Sequence, residues 1–215
     1  MSQITPDPVD QYCQDLHVPV DPLLEEIGRE GRGAGLPLVH PISARLLRAL
    51  TLSIGATRIL EIGTAIGYSA LWMATAMRDG HLITLEADAD RAATARANVE
   101  RAGIGDRISI VVGDATRYLH KISGPFDLIF QDSNKQLYEA MLDRLVELLR
   151  PGGVLVSDNI LWSGEVVGGY VTPPRRDAKD TEALRAYNKR LTADPRLLTT
   201  FVPVGDGLAI CVKLP

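Results

Sequence analysis

The stretch Arg58-Ile-Leu-Glu-Ile-Gly-Thr-Ala-Ile-Gly-Tyr-Ser69 decides how the rest of the chain is read. An apolar run from Ile59 to Ile62 ends at Gly63, and Gly67 follows four residues later. From Tyr68 the pattern turns helical, with Leu71, Trp72, Met73, Ala74, Ala76 and Met77. Strand, glycine turn and helix follow from this order. Gly63 permits a tight turn and a close approach of a ligand to the backbone. The start of the helix offers free N–H groups to a polar ligand. The strand is apolar throughout rather than alternating, which suits a parallel strand covered on both faces.

The spacing separates this turn from a dinucleotide fingerprint, which would read G-x-G-x-x-G. Here the pattern is Glu61-x-Gly63-x-x-x-Gly67, with an acid inside the strand end and no third glycine. There is less provision for a pyrophosphate and more for a cationic ligand near Glu61. The next apolar run, His81-Leu-Ile-Thr-Leu-Glu86, ends in a carboxylate placed to hold ribose hydroxyls. The two acids and the glycine pair together resemble a site for S-adenosylmethionine.

The chain has 215 residues, 46% of them hydrophobic, enough for one large α/β domain with a substantial core. No run reaches the ~18 apolar residues of a membrane span, and the N-terminus shows no secretory pattern. The net charge of −4, from 23 basic and 27 acidic residues, argues against a nucleic-acid footprint. Cys13 and Cys211 form neither a disulfide framework nor a metal spacing. A cytoplasmic protein with no membrane partner is expected.

Residues 1–57 differ from the remainder. They hold six prolines, the cluster Gly31-Arg-Gly-Ala-Gly35 and short helical patterns. Asp21-Pro-Leu-Leu-Glu-Glu reads as a capped helix start, and Ser43 to Ile54 carries a helical apolar stripe. This part is expected to form an accessory helical layer on a single domain whose α/β core spans 58–215. From Arg58 strands and helices alternate, with strands at 58–63, 81–86, 108–113, 126–132 and 153–158, and helices at 67–78, 88–102, 114–121 and 136–149. That rhythm predicts a mostly parallel sheet with helices on both faces. A long loop, 160–177, precedes a helix at 178–193. Strands 197–204 and 207–214, joined by Gly205-Asp-Gly207, form an antiparallel last pair. Pro203 suits an edge strand.

Ligands in such sheets bind beyond the C-terminal ends of the strands. Those ends carry Glu61 and Gly63, then Glu86, then Gly113-Asp114-Ala115, then Asp132 with Lys135 close behind, and finally Asp158-Asn159. If the fourth and fifth strands are neighbours, Asp132 and Asp158 start from positions about 4.8 Å apart. Two carboxylates and an amide oxygen suit Mg²⁺. Either Asp alone reads better as a cap for the next turn; the Asp132, Asp158 and Asn159 set together favours the metal. Lys135, beside such a cation, could serve as a base; a solvated loop lysine is the commoner fate. Trp72 and Met73 read as core. His17, His81 and His120 read as surface or structural residues. His40 could face a ligand from the accessory layer. Arg175-Arg176 reads as a solvated pair that could meet an anionic part of a substrate.

Five blocks carry a further resemblance: Ile59 to Ala70, Phe126-Asp-Leu-Ile-Phe-Gln-Asp-Ser-Asn-Lys135, Leu149-Arg-Pro-Gly-Gly-Val154, Asp158-Asn-Ile-Leu-Trp-Ser-Gly164 and Gly205-Asp-Gly-Leu208. From about residue 38 to the end, the chain resembles the cation-dependent O-methyltransferases, the family of catechol and caffeoyl-coenzyme A O-methyltransferases. The resemblance implies a class I methyltransferase fold, Rossmann-like, with a seven-stranded mostly parallel sheet and an antiparallel last strand, and a homodimer. It implies Mg²⁺ (or Ca²⁺ or Mn²⁺) on Asp132, Asp158 and Asn159, with Lys135 as the catalytic base. For S-adenosyl-L-methionine it implies Glu86 at the ribose, Ala87, Asp114 and Ala115 around the adenine, and Glu61, Gly63 and Ser69 along the methionine part. Asp132 would lie near the donor's amino group, and Val39 would contact the donor from the accessory helices. Ser133-Asn134 departs from the Ala-Asp common in that family, and Ser43-Ala-Arg45 in the accessory helix lacks the Gln or Glu-Gly often found there.

The expected activity is metal-dependent O-methylation of a catechol-like phenolic small molecule. One alternative is methylation of a hydroxylated uridine in transfer RNA by the same site. A nicotinamide oxidoreductase is disfavoured by the missing glycine fingerprint. A silent donor-binding module is disfavoured by the set Asp132, Lys135, Asp158 and Asn159, which binding alone does not require.

Overall fold

The computed structural model describes residues 4–215. Three helices lead the chain: α1 (Asp7–Asp15), α2 (Pro22–Gly33) and α3 (Pro41–Ser53). Asp21 caps α2, its carboxylate accepting from the Leu23 amide at 2.9 Å ahead of Pro22. The alternating region follows as β1 (Arg58–Ile62), α4 (Tyr68–Ala74), β2 (His81–Glu86), α5 (Ala89–Arg101), β3 (Ile108–Val112), α6 (Ala115–Tyr118), β4 (Phe126–Gln131), α7 (Tyr138–Leu148) and β5 (Leu149–Asp158). Then come α8 (Ala178–Ala193), β6 (Leu197–Val202) and β7 (Leu208–Lys213).

The seven strands form one sheet in the order β3-β2-β1-β4-β5-β7-β6. The first five are parallel, while β7 runs antiparallel to both β5 and β6. The order reverses between β1 and β4, and a crevice opens beyond the carboxyl ends of the strands at such a switch point. Both faces of the sheet are covered. Ile59, Leu128, Phe130 and Val156 pack under α2, α3 and α4, while Leu60, Ile62, Ile129 and Leu155 pack under α7 and α8. Consecutive residues of β1 serve opposite cores, which is why its sequence does not alternate. Leu24, Ile27 and Leu47 of the leading helices share the first of these cores.

Several boundaries differ from expectation. Helix α4 stops at Ala74, short of 78, where the amides of Ala76 and Met77 donate to the carbonyls three residues back, Met73 and Ala74, at 3.0 and 3.3 Å and tighten the last turn. Strand β5 starts at Leu149, four residues before the expected 153, because Leu149 already pairs with Phe126 across an irregularity in β4. The helix expected over 114–121 is a single α turn followed by a 3₁₀ turn. Pro203 is not in the edge strand; β6 ends one residue earlier, at Val202.

Gly63 has φ +99°, and a Cβ there would run into the Asp132 carbonyl. Its N–H donates to Leu85 O at 2.9 Å, and the Asp132 N–H donates to Ile62 O at 2.8 Å. Gly63→Ala is therefore expected to destabilise the protein by about 3 kcal/mol, or roughly 6–12 °C in melting temperature. Differential scanning fluorimetry checks this, and an unchanged melting temperature would contradict the close approach.

Candidate active site

The strand ends open into a cavity of about 630 Å³, within the range of small-molecule sites. Val39, Gly63, Ser69, Glu86, Ala87, Asp114, Ala115, Asp132, Lys135, Asp158 and Asn159 all line it. Of the residues expected to hold the donor, the metal or the proton, Glu61 alone does not. It is fully buried beneath the floor. Ser69 Oγ donates to Glu61 Oε1 at 2.5 Å and Thr84 Oγ1 donates to Oε2 at 2.6 Å, so the carboxylate ties β1 to β2 and to the first turn of α4. Burial pushes the Glu61 carboxyl up to about 7, against the lowering effect of those two hydroxyls.

Glu86 shapes the turn after β1 from the side. Its Oε2 accepts from the amides of Thr64 and Ala65 at 3.2 and 2.8 Å, and its Oε1 accepts from the Asp88 amide at 3.0 Å. Asp114 has a second task as the cap of α6, accepting from the Thr116 amide at 2.8 Å and from the Thr116 hydroxyl at 2.7 Å. The Thr116 hydroxyl holds the Asp114 carboxyl below its usual range.

The other end of the cavity is built by β4 and β5. They are parallel neighbours, and Gln131 pairs with Ser157 just before Asp132 and Asp158. Lys135 Nζ donates to Asp132 Oδ1 at 2.8 Å and to Tyr138 Oη at 3.0 Å. The Tyr138 hydroxyl lies 3.2 Å from both the Gln131 and Asp158 carbonyls, so its own proton points to a carbonyl and its oxygen is left to accept from the lysine. Two corners of the lysine nitrogen are thus held by acceptors, and the third is left for the cavity. Asp158 is 3% exposed. Burial first, and the Asp132 charge second, push its carboxyl well above the usual range. The Asn159 amide donates to Asp158 Oδ1 at 2.7 Å, and Asn159 itself has φ +61°.

Tyr138, Trp162 and Asp206 are the residues that spacing alone did not bring to this site; of the pair Arg175-Arg176, Arg176 lines the cavity and Arg175 does not. Tyr138 sits at a helical position that reads as core. Trp162 and Arg176 lie in a loop with no period. Asp206 lies in the tight connection between β6 and β7. His40 does line the cavity; its Nδ1 accepts from the Ile42 amide at 3.3 Å and its Nε2 lies 3.3 Å from Asp10 Oδ2. Asn134 caps the following 3₁₀ turn, accepting from the Gln136 amide at 3.0 Å. Trp72 and Met73 are buried core, and His81 bonds Ser109 at 2.7 Å away from the site.

The O-methyltransferase family profile matches residues 24–214. The chain belongs to that family. A catechol O-methyltransferase from Niastella koreensis is 35% identical over 95% of this chain and 96% of its own length. Among solved structures, the O-methyltransferase from Bacillus cereus in complex with SAH has a TM-score of 0.84 and 34% identity, covering 96% of this chain and 97% of that one. TomG from Streptomyces achromogenes, an O-methyltransferase involved in tomaymycin synthesis and solved with SAM, has a TM-score of 0.85 and 30% identity over 100% of both chains. This O-methyltransferase is thus an S-adenosylmethionine-dependent enzyme with the seven-stranded fold of its relatives. Among its described residues, no helix is long and apolar enough to cross a membrane.

Glu61 gives the enzyme a pH-dependent stability. In the unfolded chain this acid ionises near its ordinary 4.5, whereas the fold keeps it protonated to about 7. The raised value means its contribution is complete below pH 4.5 and is lost as pH rises through 7, by up to ~3 kcal/mol. Glu61→Gln should flatten the fall in melting temperature between pH 5 and pH 7.5. Identical slopes for wild type and variant would rule Glu61 out as the source.

Proposed function

We propose that this chain transfers the sulfonium methyl group of S-adenosylmethionine to one hydroxyl of a vicinal dihydroxy-aromatic small molecule, with a divalent cation held by Asp132, Asp158 and Asn159. The observation that carries this reading is the convergence of those three residues with Lys135 at one end of a single cavity. The charges support a cation there. Two carboxylates face one ammonium, and Asp158 is buried with, among the described residues, its own neighbour's amide as the one donor to its carboxylate. A divalent ion would offset the repulsion that pushes Asp158 up. Among the described residues, no group of three or more His, Cys, Asp or Glu side chains forms a ready-made metal cage. The candidate set is two carboxylates and an amide, which suits a hard cation that keeps positions for water and substrate oxygens. Bound there, Mg²⁺ (or Ca²⁺ or Mn²⁺) would draw the two hydroxyl oxygens together and supply positive charge against the developing oxyanion.

Within this reading the chain's own residues divide the remaining work. Lys135 accepts the hydroxyl proton through the corner of its nitrogen that Asp132 and Tyr138 leave open. Glu86 holds the ribose, with Ala87, Asp114 and Ala115 along the adenine. Gly63, Ser69 and Val39 flank the methionine end, and Asp132 lies near the amino group. Glu61 acts from beneath the floor by fixing Ser69. Rate comes from holding the methyl group in line with the acceptor oxygen. The homodimer belongs to the same reading; α1 and its C-cap residue expose Val9, Tyr12 and Leu16, and light scattering on the purified protein tests it.

Labelled S-adenosylmethionine, a catechol panel and bulk transfer RNA test the substrate class, each with Mg²⁺ and with a chelator. Label in catechols, lost with chelator or in Asp158→Ala, is expected. Label confined to RNA, or full activity of Asp158→Ala in chelator, would overturn the substrate or the metal assignment respectively. Lys135→Ala should lower kcat by ~10²-fold or more with donor binding intact. Tyr138→Phe should lower it by roughly 3- to 10-fold, and add nothing in the Lys135→Ala background. Undiminished turnover in Lys135→Ala sinks its role as base.

A further inference from the structure

Arg176 stands at the acceptor end of the cavity wall in a fixed pose. Its guanidinium lies 4.6 Å from the centre of the Trp162 ring, and Lys135 Nζ lies 6.0 Å from the same ring. Both cations therefore border one indole. The arginine backbone is clamped as well: the amides of Arg175 and Arg176 donate to Glu165 Oε1 at 2.7 and 3.0 Å. Nη2 meets Ser163 Oγ at 3.2 Å and Asp206 Oδ2 at 3.6 Å. Among the described residues, Nε and Nη1 meet no protein acceptor. A guanidinium carries five N–H donors in a rigid plane, and one distant carboxylate leaves most of them free.

We propose that Arg176 is a specificity residue that takes a carboxylate on the acceptor ring, so that the preferred substrates are catechols bearing a carboxylic acid. The inference rests on the catechol reading above. An acceptor with its hydroxyl at Lys135 and its ring against Trp162 carries its far substituent towards Arg176. Arg176 is part-exposed, so a neutral substituent there leaves its free donors to water, whereas a carboxylate takes them with charge-assisted bonds. The size of the cavity favours a small acid over a carrier-linked one. About 630 Å³ must hold the donor as well, which leaves room for one ring and a short substituent.

The test compares kcat/KM for 3,4-dihydroxybenzoate and for the neutral 3,4-dihydroxybenzyl alcohol, using the full chain with labelled S-adenosylmethionine and Mg²⁺. The wild type is expected to favour the acid by 10-fold or more. Arg176→Met should lower the acid-to-alcohol ratio by at least 10-fold, and Arg176→Lys should lower it less. The ratio is the deciding quantity, because an arginine that merely supports Trp162 and Asp206 would lower both substrates together and leave the ratio intact. That result overturns the inference, as does a wild type with no preference for the acid, a measurement independent of how well the variants fold. Preference for the coenzyme A thioester of 3,4-dihydroxycinnamate over the free acids, lost in Arg176→Met, would overturn the carboxylate in favour of a phosphate. No methylation of any catechol would overturn the catechol reading and this inference with it, whereas methylation without acid preference overturns the inference alone.

Discussion

The contact between the Gly63 backbone and the Asp132 carbonyl is the constraint on which the site depends. It lies at the reversal of strand order, where β1 and β4 are neighbours but their following helices diverge. Any side chain at position 63 would push the two strand ends apart. The turn after Gly63 and the segment from Asp132 to Lys135 both line the cavity, so one close backbone approach sets how these two loops face each other.

Buried polar groups then fix each end separately. On the β1 side, Glu61 and Glu86 work by holding loops and hydroxyls rather than by standing free. Glu61 accepts from Ser69 and Thr84, and Glu86 accepts from three backbone amides. On the β4–β5 side, Tyr138 joins the lysine to the carbonyls of both strands. Below it, the Tyr187 hydroxyl donates to Gln131 Oε1 at 2.7 Å and lies 2.7 Å from Ser157 Oγ, so the strand ends rest on a satisfied network. Buried polar networks of this kind rigidify a site when every member has a partner.

Much of this was legible in the chain itself. The strand–turn–helix at 58–69, the rhythm of alternation, the antiparallel final pair and the Asp21 cap each follow from local chemistry. So does the list of strand ends, because in a parallel sheet those ends gather on one edge whatever the helices do. The family resemblance rested on blocks that all fall at or beside those ends. Boundaries were less legible where pairing with a distant strand set them, as Phe126 does for the start of β5.

The sequence by itself determined the class of fold and that two aspartates, an asparagine and a lysine belong to strand ends. Periodicity and turn residues encode these through short-range sterics. That β4 and β5 are neighbours came from the sheet order. Tertiary structure alone decided which polar groups face the cavity and which lie behind it. Glu61 is adjacent in sequence to a residue that packs the opposite core, and its place beneath the floor depends on Ser69 and Thr84 arriving from other elements. Arg176, Trp162 and Asp206 come together from segments with no periodic signal, and Tyr138 looks like any core aromatic until Lys135 is laid against it. Side-chain direction at such positions is fixed by what packs around them, and that information is spread over the whole chain.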